Sequence, residues 1–298
     1  EHHLVGGHGI EVYVFADSDG RVSREWLRRL IEGLDEEGVG ATTGFRWYRV
    51  GESFWSLLRS LWNALSLTAF GPHRRNFAWG GSRAIRRRVA EAIGLREAWQ
   101  GAVSDDYTLT EAVRASGYWI KFVPSCLVVS SGTCSFRELI EFTNRQIAIT
   151  RVYAPRLWWM VLLTHLLFTV VFLSGVWGVV ERVVRGGSLS WPLMAVALIY
   201  LPGVIKGVIR ERAVGLMRPE LVEELRRFRW AYWLLHPLVS LLYVVNGVAS
   251  AVRREITWRG IRYRLVSRRR TEVIGGWEEG GRAQGGEAAA GSTLAGLG

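Results

Sequence analysis

The stretch that decides the fold is LWWMVLLTHLLFTVVFLSGVWGVV, residues 157–180, which contains no charged side chain. As an α-helix, these residues would extend about 36 Å, which exceeds the roughly 30 Å hydrocarbon core of a bilayer. A helix from the core of a water-soluble protein carries a polar stripe on its exposed side, and this stretch has none. It therefore predicts a membrane-spanning helix.

Two further apolar segments, residues 189–209 and 231–252, complete a membrane region over residues 157–252. The first of them is interrupted only by Lys206, near its end. If the N-terminal half is cytoplasmic, segments 157–180 and 189–209 form a hairpin. The arginines that follow this hairpin then lie inside, as the positive-inside rule requires.

The third segment conflicts with that rule if it crosses completely. A full crossing would place the arginines between 253 and 270 outside the cell. We therefore expect segment 231–252 to be re-entrant or kinked at Pro237, with a complete crossing as the alternative. The remaining residues, 253–298, are predicted to be a tail that is first basic and then Gly/Ala-rich and disordered.

The composition supports a membrane protein and argues against other classes. Among 298 residues, 49% are hydrophobic, and 38 Lys plus Arg against 27 Asp plus Glu give a formal charge of +11. Two cysteines, Cys126 and Cys134, are too few for a disulfide scaffold and have no partners nearby for a zinc site. The arginines flank apolar segments instead of forming one groove-facing element, so the charge indicates anionic lipid and no nucleic acid.

The N-terminal half, residues 1–135, predicts an α/β domain because strand-like and helix-like segments alternate. An interfacial helix is expected over residues 136–156, between this domain and the membrane region. The expected segments are a strand at 10–16, a helix at 23–34, a strand at 39–50, a helix at 53–70, a helix beginning near Arg83, a helix at 107–116 and a strand at 119–123.

Two acidic motifs in this half are candidates for chemistry. Asp17 and Asp19 flank Ser18 at a strand end, where they form either a metal site or an ordinary turn. Asp105 and Asp106 precede an apolar helix, where they either cap it or supply a general base. A flexible Gly-Gly turn at 80–81 lets the backbone approach a substrate closely, although such pairs are also common in plain turns.

The order and spacing of several motifs resemble a known family. These motifs are Phe15-Ala-Asp-Ser-Asp19, Trp79-Gly-Gly-Ser-Arg-Ala-Ile-Arg-Arg87, Ser104-Asp-Asp-Tyr-Thr-Leu109, Arg145-Gln-Ile-Ala-Ile-Thr-Arg151 and Ile256-Thr-Trp-Arg-Gly-Ile-Arg-Tyr263. Together they look like the processive and lipid-directed family 2 glycosyltransferases, with the closest likeness to bacterial relatives of ceramide glucosyltransferase. The resemblance covers about residues 10–265.

The resemblance implies a GT-A (Rossmann-like) domain on the cytoplasmic face of a bacterial membrane, followed by an α-helical transmembrane region. The implied activity is that of an inverting hexosyltransferase, which transfers sugar from a nucleotide-sugar donor, usually UDP-linked, to a lipid or glycan acceptor. The implied roles are metal binding (Mn²⁺ or Mg²⁺) by Asp17 and Asp19, general base for Asp106 with Asp105 beside it, and substrate binding by Gly81, Ser82, Gln146 and Arg151.

This chain departs from the family pattern in two places. The Q/R-x-x-R-W signature would require Arg and Trp where Ala148 and Ile149 stand, so Gln146 with Arg151 is the looser substitute. The resemblance also begins at the D-x-D strand, without the preceding strands or the Asp that reads uracil. We therefore expect an N-terminally incomplete domain that binds nucleotide poorly, and UDP-sugar turnover by residues 1–298 would contradict this.

Two other functions compete with this interpretation. The segment Val14–Gly20 resembles the nucleophile strand of a haloacid-dehalogenase-type phosphatase. That chemistry needs a lysine between its acidic motifs, whereas Lys121 follows both of them here. A non-catalytic, arginine-rich remnant that binds membrane lipid is the second alternative.

Overall fold

The computed structural model describes residues 9–79 and 81–276. Its N-terminal half alternates short strands and helices, which confirms the predicted α/β class. The elements are β1 (Val12–Ala16), α1 (Trp26–Glu32), β2 (Val39–Thr43), β3 (Arg46–Tyr48), α2 (Phe54–Ser66), β4 (Ser82–Arg86), α3 (Arg87–Ala92), α4 (Leu95–Trp99), α5 (Asp105–Ala115), β5 (Trp119–Phe122) and β6 (Val128–Ser130).

The C-terminal half consists of long helices followed by a small sheet. The elements are α6 (Phe136–Tyr153), α7 (Pro155–Arg185), α8 (Ser190–Met217), α9 (Val222–Leu234), α10 (His236–Val252), β7 (Glu255–Trp258), β8 (Ile261–Ser267) and β9 (Arg270–Gly275).

The main sheet is mixed and has the strand order β1-β4-β2-β5. Strand β4 pairs antiparallel with both β1 and β2, whereas β2 pairs parallel with β5. A second, two-stranded parallel sheet joins β3 to β6. This arrangement does not confirm the Rossmann-like part of the expectation.

The predicted strand at 39–50 is two strands in two different sheets. The break falls at Gly44, where an added Cβ would lie 2.0 Å from the carbonyl oxygen of Cys126. Only glycine allows the chain to pass so close to that backbone, so it leaves the main sheet after β2 and enters the second sheet as β3.

The prediction of a helix that begins near Arg83 was wrong for the first residues of that segment. Ser82–Arg86 form β4, which pairs on both sides, and the helix begins only at Arg87. The Arg83 side chain is consequently buried beside a sheet strand, where an isolated cation would be costly unless paired.

Helix α2 joins the α/β half to the membrane region. Its N-cap, Ser53, accepts a hydrogen bond from the Ser56 amide (3.0 Å). Leu58, Leu61 and Trp62 on its inner face are buried in the core. The Trp62 ring stacks on Tyr243 of α10 with ring centroids 4.7 Å apart. The apolar and aromatic side chains of α2 therefore mainly pack in the core.

Helices α7 and α8 are long and apolar enough to cross a membrane, with 31 and 28 residues and mean hydropathies of 2.0 and 1.9. They contain the segments predicted at 157–180 and 189–209. The third predicted segment is bent: α9 and α10 meet at an angle of 67°, at a break that precedes Pro237. Proline in the first turn of α10 suits a helix start and cannot continue α9.

The basic part of the predicted tail forms a small sheet over residues 255–275, an element that the sequence pattern did not predict. Strands β7, β8 and β9 pair antiparallel in sequence order. Ile256 and Leu265 of this sheet are buried against Ala148 of α6, and this apolar contact holds the sheet in place. Residues 277–298 lie outside the described part of the chain.

Candidate functional site

A cavity of about 1870 Å³ lies between the α/β half, α6 and the membrane helices. It brings together five of the residues nominated from the sequence, and three others lie away from its lining. The nominated residues that line it are Asp17, Asp19, Asp105, Asp106 and Gln146. Its volume exceeds the 300–1,000 Å³ of a typical small-molecule site, so it has room for two substrates.

The two D-x-D carboxylates follow the end of β1. Asp17 begins a tight turn in which its carbonyl accepts a hydrogen bond from the Gly20 amide (3.0 Å). Gly81 adopts a φ of +83°, and a Cβ there would lie 2.6 Å from Asp17 Oδ2. Gly81 therefore shapes the loop against Asp17, while its predicted contact with a sugar stays a prediction.

Arg46 of β3 forms ion pairs with both Asp17 and Asp19, the latter at 3.1 Å. Burial alone would lower the pKa of Arg46, but the Tyr48 hydroxyl and the two carboxylates outweigh it and raise the pKa. Arg46 is therefore a permanent cation at the D-x-D motif. Its guanidinium can donate charge-assisted hydrogen bonds to an anionic group at this end of the cavity.

The donor set at the D-x-D motif fits Mn²⁺ or Mg²⁺. Asp17 and Asp19 offer only oxygen ligands, which these ions prefer, and their side chains are 47% and 65% exposed. Across residues 9–79 and 81–276, no cluster of three or more His, Cys, Asp or Glu side chains could hold a metal. An ion at this motif would need further ligands from a diphosphate or water.

The second acidic pair occupies the first turn of α5. The helix is capped by Ser104, whose hydroxyl accepts a hydrogen bond from the Tyr107 amide (3.3 Å). The N-cap hydrogen bond thus comes from Ser104, although Asp105 Oδ1 also accepts a hydrogen bond from the Asp106 amide (3.0 Å) in the same turn. Asp105 and Asp106 extend toward Arg83 of β4, which forms an ion pair with each of them.

Arg83 holds both carboxylates in place from the protein side. Its side chain is only 3% exposed, and its guanidinium lies over the rings of Phe15 (5.1 Å) and Trp99 (5.8 Å). Burial alone would lower the pKa of Arg83, but Asp106 and Asp105 outweigh it and raise the pKa. A fixed cation thus orients two carboxylates whose side chains remain partly exposed in the cavity.

The acidic pair is tied to α6 through two tyrosines. The Tyr107 hydroxyl lies 2.9 Å from Thr150 Oγ1, and burial raises the pKa of Tyr107 to about 12. The Tyr153 hydroxyl accepts a hydrogen bond from the Val103 amide (3.0 Å) and donates one to the Arg268 carbonyl (2.8 Å). Helix α6 and the C-terminal sheet therefore position the loop that leads into α5.

Helix α6 contributes Gln146 and Arg145 to the cavity. The Arg145 guanidinium lies between the rings of Phe142 (5.8 Å) and Trp258 (5.4 Å), and burial lowers its pKa. Arg151, the cation nominated from the sequence, donates instead to the Ser250 carbonyl and does not line the cavity. The structure therefore places Arg145 where Arg151 was expected.

Ser82 also lies away from the cavity. It is completely buried, accepts a hydrogen bond from Trp26 Nε1 (2.9 Å) and donates one to the Cys126 carbonyl (2.8 Å). Both partners belong to the core of the α/β half, so its hydroxyl ties β4 to neighbouring elements. Nothing in this position supports the predicted contact between Ser82 and substrate.

Comparison with known proteins agrees with this geometry. Residues 10–271 match the family described as Glycosyl transferase family 21. The chain belongs to this family. No curated protein gives a significant match. Family 21 is ceramide-glucosyltransferase-like and of GT-A type, which confirms the resemblance drawn from the motifs.

Membership of family 21 implies glycosyl transfer from a nucleotide-sugar donor to an acceptor. The two apolar helices are consistent with its association with a membrane.

The structure also weakens the phosphatase alternative. Lys121, the lysine of the N-terminal half, forms an ion pair with Glu36 (2.9 Å) and does not line the cavity.

The candidate site residues of this family 21 chain that sequence reasoning missed are arginines. Arg46, Arg145 and Arg259 line the cavity, and Arg83 lies behind it. No sequence signal singled out Arg83, because its segment, Ser-Arg-Ala-Ile-Arg at 82–86, contains two arginines and was read as a basic helix start. Arginines near membrane segments carried no such signal, because the positive-inside rule already accounts for them.

Proposed function

We propose that the protein is a membrane-bound inverting hexosyltransferase that moves a sugar from a UDP-linked donor to a lipid acceptor. The observation that carries the proposal is one continuous cavity. It joins the D-x-D carboxylates, the acidic pair of α5 and the space between α7, α8 and α10. A glycan acceptor stays the alternative, and the walls formed by membrane helices favour lipid.

In the proposed reaction, Asp106 accepts the proton of the acceptor hydroxyl. The hydroxyl oxygen attacks the anomeric carbon on the face opposite the diphosphate. The bond from that carbon to the phosphate oxygen breaks, and the nucleoside diphosphate leaves with the bonding electrons, so the configuration inverts. Asp17 and Asp19 would hold a divalent cation, and a cation held there would supply charge neutralisation for the diphosphate.

Three arginines assist the proposed reaction from fixed positions. Arg83 orients Asp105 and Asp106, so that Asp106 meets the acceptor in one geometry. Arg46 at the D-x-D motif and Arg145 on α6 line the same cavity and can donate hydrogen bonds to phosphate oxygens. Their charge stabilises the diphosphate as it leaves.

The contacts of α9 and α10 support a re-entrant arrangement for this pair. At the start of α9, Glu224 accepts hydrogen bonds from Arg49 Nε (2.5 Å) and the Val50 amide (3.0 Å) of the α/β half. At the end of α10, Ser250 accepts a hydrogen bond from Arg151 of α6. The start of α9 and the end of α10 thus both lie at the end of the membrane region that adjoins the α/β half and α6.

A re-entrant pair also places the C-terminal sheet beside the catalytic half. Arg268 of this sheet pairs with Glu111 of α5 (2.8 Å). The arginines after α10 then lie on the cytoplasmic side, as the positive-inside rule requires. These contacts support our proposal that the active site faces the cytoplasm, and the bacterial membrane stays an expectation from the motif resemblance.

The test is a transfer assay with membranes that contain the full-length protein and radiolabelled UDP-hexoses. We expect label in the lipid extract and a loss of about 10²–10⁴-fold in kcat for Asp106→Asn. Asp35→Asn is the matched control, because Asp35 is exposed and pairs with Arg86 away from the cavity.

Two results would contradict the proposal in different ways. Unchanged transfer in Asp106→Asn would show that Asp106 is not the base. Absence of transfer from every UDP-hexose would favour the non-catalytic lipid-binding alternative. The dependence of the rate on Mn²⁺ or Mg²⁺ concentration tests the metal role of Asp17 and Asp19 separately.

A further inference from the structure

The membrane half of the cavity contains two basic side chains on one face of α8. Lys206 and Arg210 are four residues apart, so their side chains are neighbours on the helix surface. Both line the cavity that also contains the acidic pair. Arg210 lies seven residues before the helix end at Met217, about 10 Å along the axis.

No acidic side chain among the described residues is seen to pair with Lys206 or Arg210. Glu211, the adjacent carboxylate, forms an ion pair with Arg229 (3.5 Å) and accepts a hydrogen bond from Trp233 Nε1 (2.9 Å). The Nε atom of Arg210 is buried and has no hydrogen-bond partner within the described part of the chain.

His236 of α10 adds a third polar atom without a hydrogen-bond partner, its Nε2, beside the face of α8 that carries Lys206 and Arg210. Its Nε2 atom is buried and makes no hydrogen bond to any described residue. The imidazole packs against Gly203 of α8, where an added Cβ would lie 2.3 Å from Nε2. The chain therefore keeps space for this ring on the face of α8 that carries Lys206 and Arg210.

Unpaired cations within a membrane segment are rare and normally mark a binding site. Burial without a counter-ion is unfavourable for the half-buried Arg210, and Lys206 is exposed on the same face of α8. An anionic ligand would remove this penalty. The end of α8 is held against the α/β half, where Arg218 donates to the Leu127 carbonyl. Arg210 thus lies in the half of the helix nearer to the catalytic residues, on the side where headgroups of the cytoplasmic leaflet are found.

One continuous cavity connects the basic pair to the reacting groups. Tyr243 of α10 and Tyr107 of α5 line it together with Arg210 and Asp106. Tyr107 directly follows Asp106 in α5. Beyond the basic pair, the walls are apolar and include Met160, Phe168 and Ile199 of α7 and α8, which suit a hydrocarbon chain.

We propose that Lys206 and Arg210 bind the phosphate of an anionic lipid, and that this lipid is the sugar acceptor. Its headgroup carries a phosphodiester and a free hydroxyl: the phosphate lies at the basic pair and the hydroxyl extends toward Asp106. The acceptor role rests on the proposed transferase function, whereas the binding site does not.

The binding test uses the full-length protein in neutral detergent and native mass spectrometry with phosphatidylglycerol, diacylglycerol and inorganic phosphate as separate probes. We expect phosphatidylglycerol to bind at least tenfold more tightly than diacylglycerol. Lys206→Gln/Arg210→Gln should remove this preference. Arg212→Gln is the matched control, because Arg212 is an exposed arginine of the same helix outside the cavity lining.

The outcomes separate the sources of the phosphate. Equal affinity for diacylglycerol, or full phosphatidylglycerol binding by the double variant, would overturn the site. Inorganic phosphate that binds as tightly as phosphatidylglycerol would overturn the lipid assignment in favour of a free anion. Arg210→Lys keeps the charge and should retain binding, and thermal unfolding of each variant checks that it folds.

Transfer measurements then test the acceptor role independently. With UDP-hexose, label should appear in phosphatidylglycerol, and the double variant should transfer at least tenfold less. Label in a neutral lipid alone would overturn the acceptor role while the binding site stands. Binding of phosphatidylglycerol without any sugar transfer would contradict the transferase proposal and leave the site intact.

Discussion

Replacing Arg259 with asparagine should stabilise the protein and at the same time impair its use of donor. Arg259 and Gly260 form the two-residue turn between β7 and β8, with φ values of 51° and 80°. Positive φ at both central residues is the pattern of a type I′ turn, which strongly favours Asn-Gly. Among described residues, Arg259 is the one non-glycine residue with positive φ.

The expected stability gain follows from this backbone conformation. The left-handed region costs a residue with a side chain about 1–2 kcal/mol, and asparagine tolerates it better than arginine. We therefore expect the free energy of unfolding to rise by about 0.5–1 kcal/mol. For a chain of this size, the midpoint of thermal unfolding should rise by roughly 1–4 °C.

The expected functional loss follows from the position of the side chain. Arg259 lines the cavity, and its charge acts on Arg145, so two cations converge where the diphosphate is proposed to lie. Loss of a charge-assisted hydrogen bond costs about 1.5–3 kcal/mol, which corresponds to a decrease of about 10- to 150-fold in kcat/KM for the donor.

The assay combines thermal unfolding with UDP-hexose kinetics on the same preparations. Arg262→Gln is the control, because Arg262 lies on the adjoining strand and does not line the cavity. A raised midpoint with unchanged kinetics would show that arginine has no functional role at this turn. A lowered midpoint would refute the turn argument itself.

Three further outcomes can be measured. Arg83→Met leaves Asp105 and Asp106 without their buried counter-ion and should lower the free energy of unfolding by about 3 kcal/mol in denaturant titrations. Burial raises the pKa of Cys126 to about 12, so iodoacetamide at pH 8 should alkylate it only after unfolding, as read by mass spectrometry. Hydrogen bonds from the Ser135 amide and hydroxyl lower the pKa of Glu138 from its ordinary value of 4.5. The contribution of Glu138 to the free energy of unfolding is therefore present above that pH and lost as the pH falls below it. Glu138→Gln should remove this pH dependence from the free energy of unfolding.

The local sequence pattern was enough to predict the membrane helices and most elements of the α/β half. The uncharged run at 157–180 has no stable place in water, so its helix follows from composition alone. The segment at 39–50 was ambiguous because its break depends on the approach of Gly44 to Cys126, 82 residues away in sequence. The start of β4 was misread as helix for the same reason, since strand pairing is not a local property.

The amino-acid sequence by itself indicated two apolar helices long enough to cross a membrane and a glycosyltransferase-like order of two acidic motifs, because hydrophobic length and motif order are linear properties. Only the tertiary structure decided which arginines form ion pairs with the carboxylates of those motifs. Arg46 and Arg83 reach their carboxylates from neighbouring strands, and Arg145 takes the position expected for Arg151. Electrostatic partners are set by distance in space, and the arginines of this chain are too numerous for spacing alone to select among them.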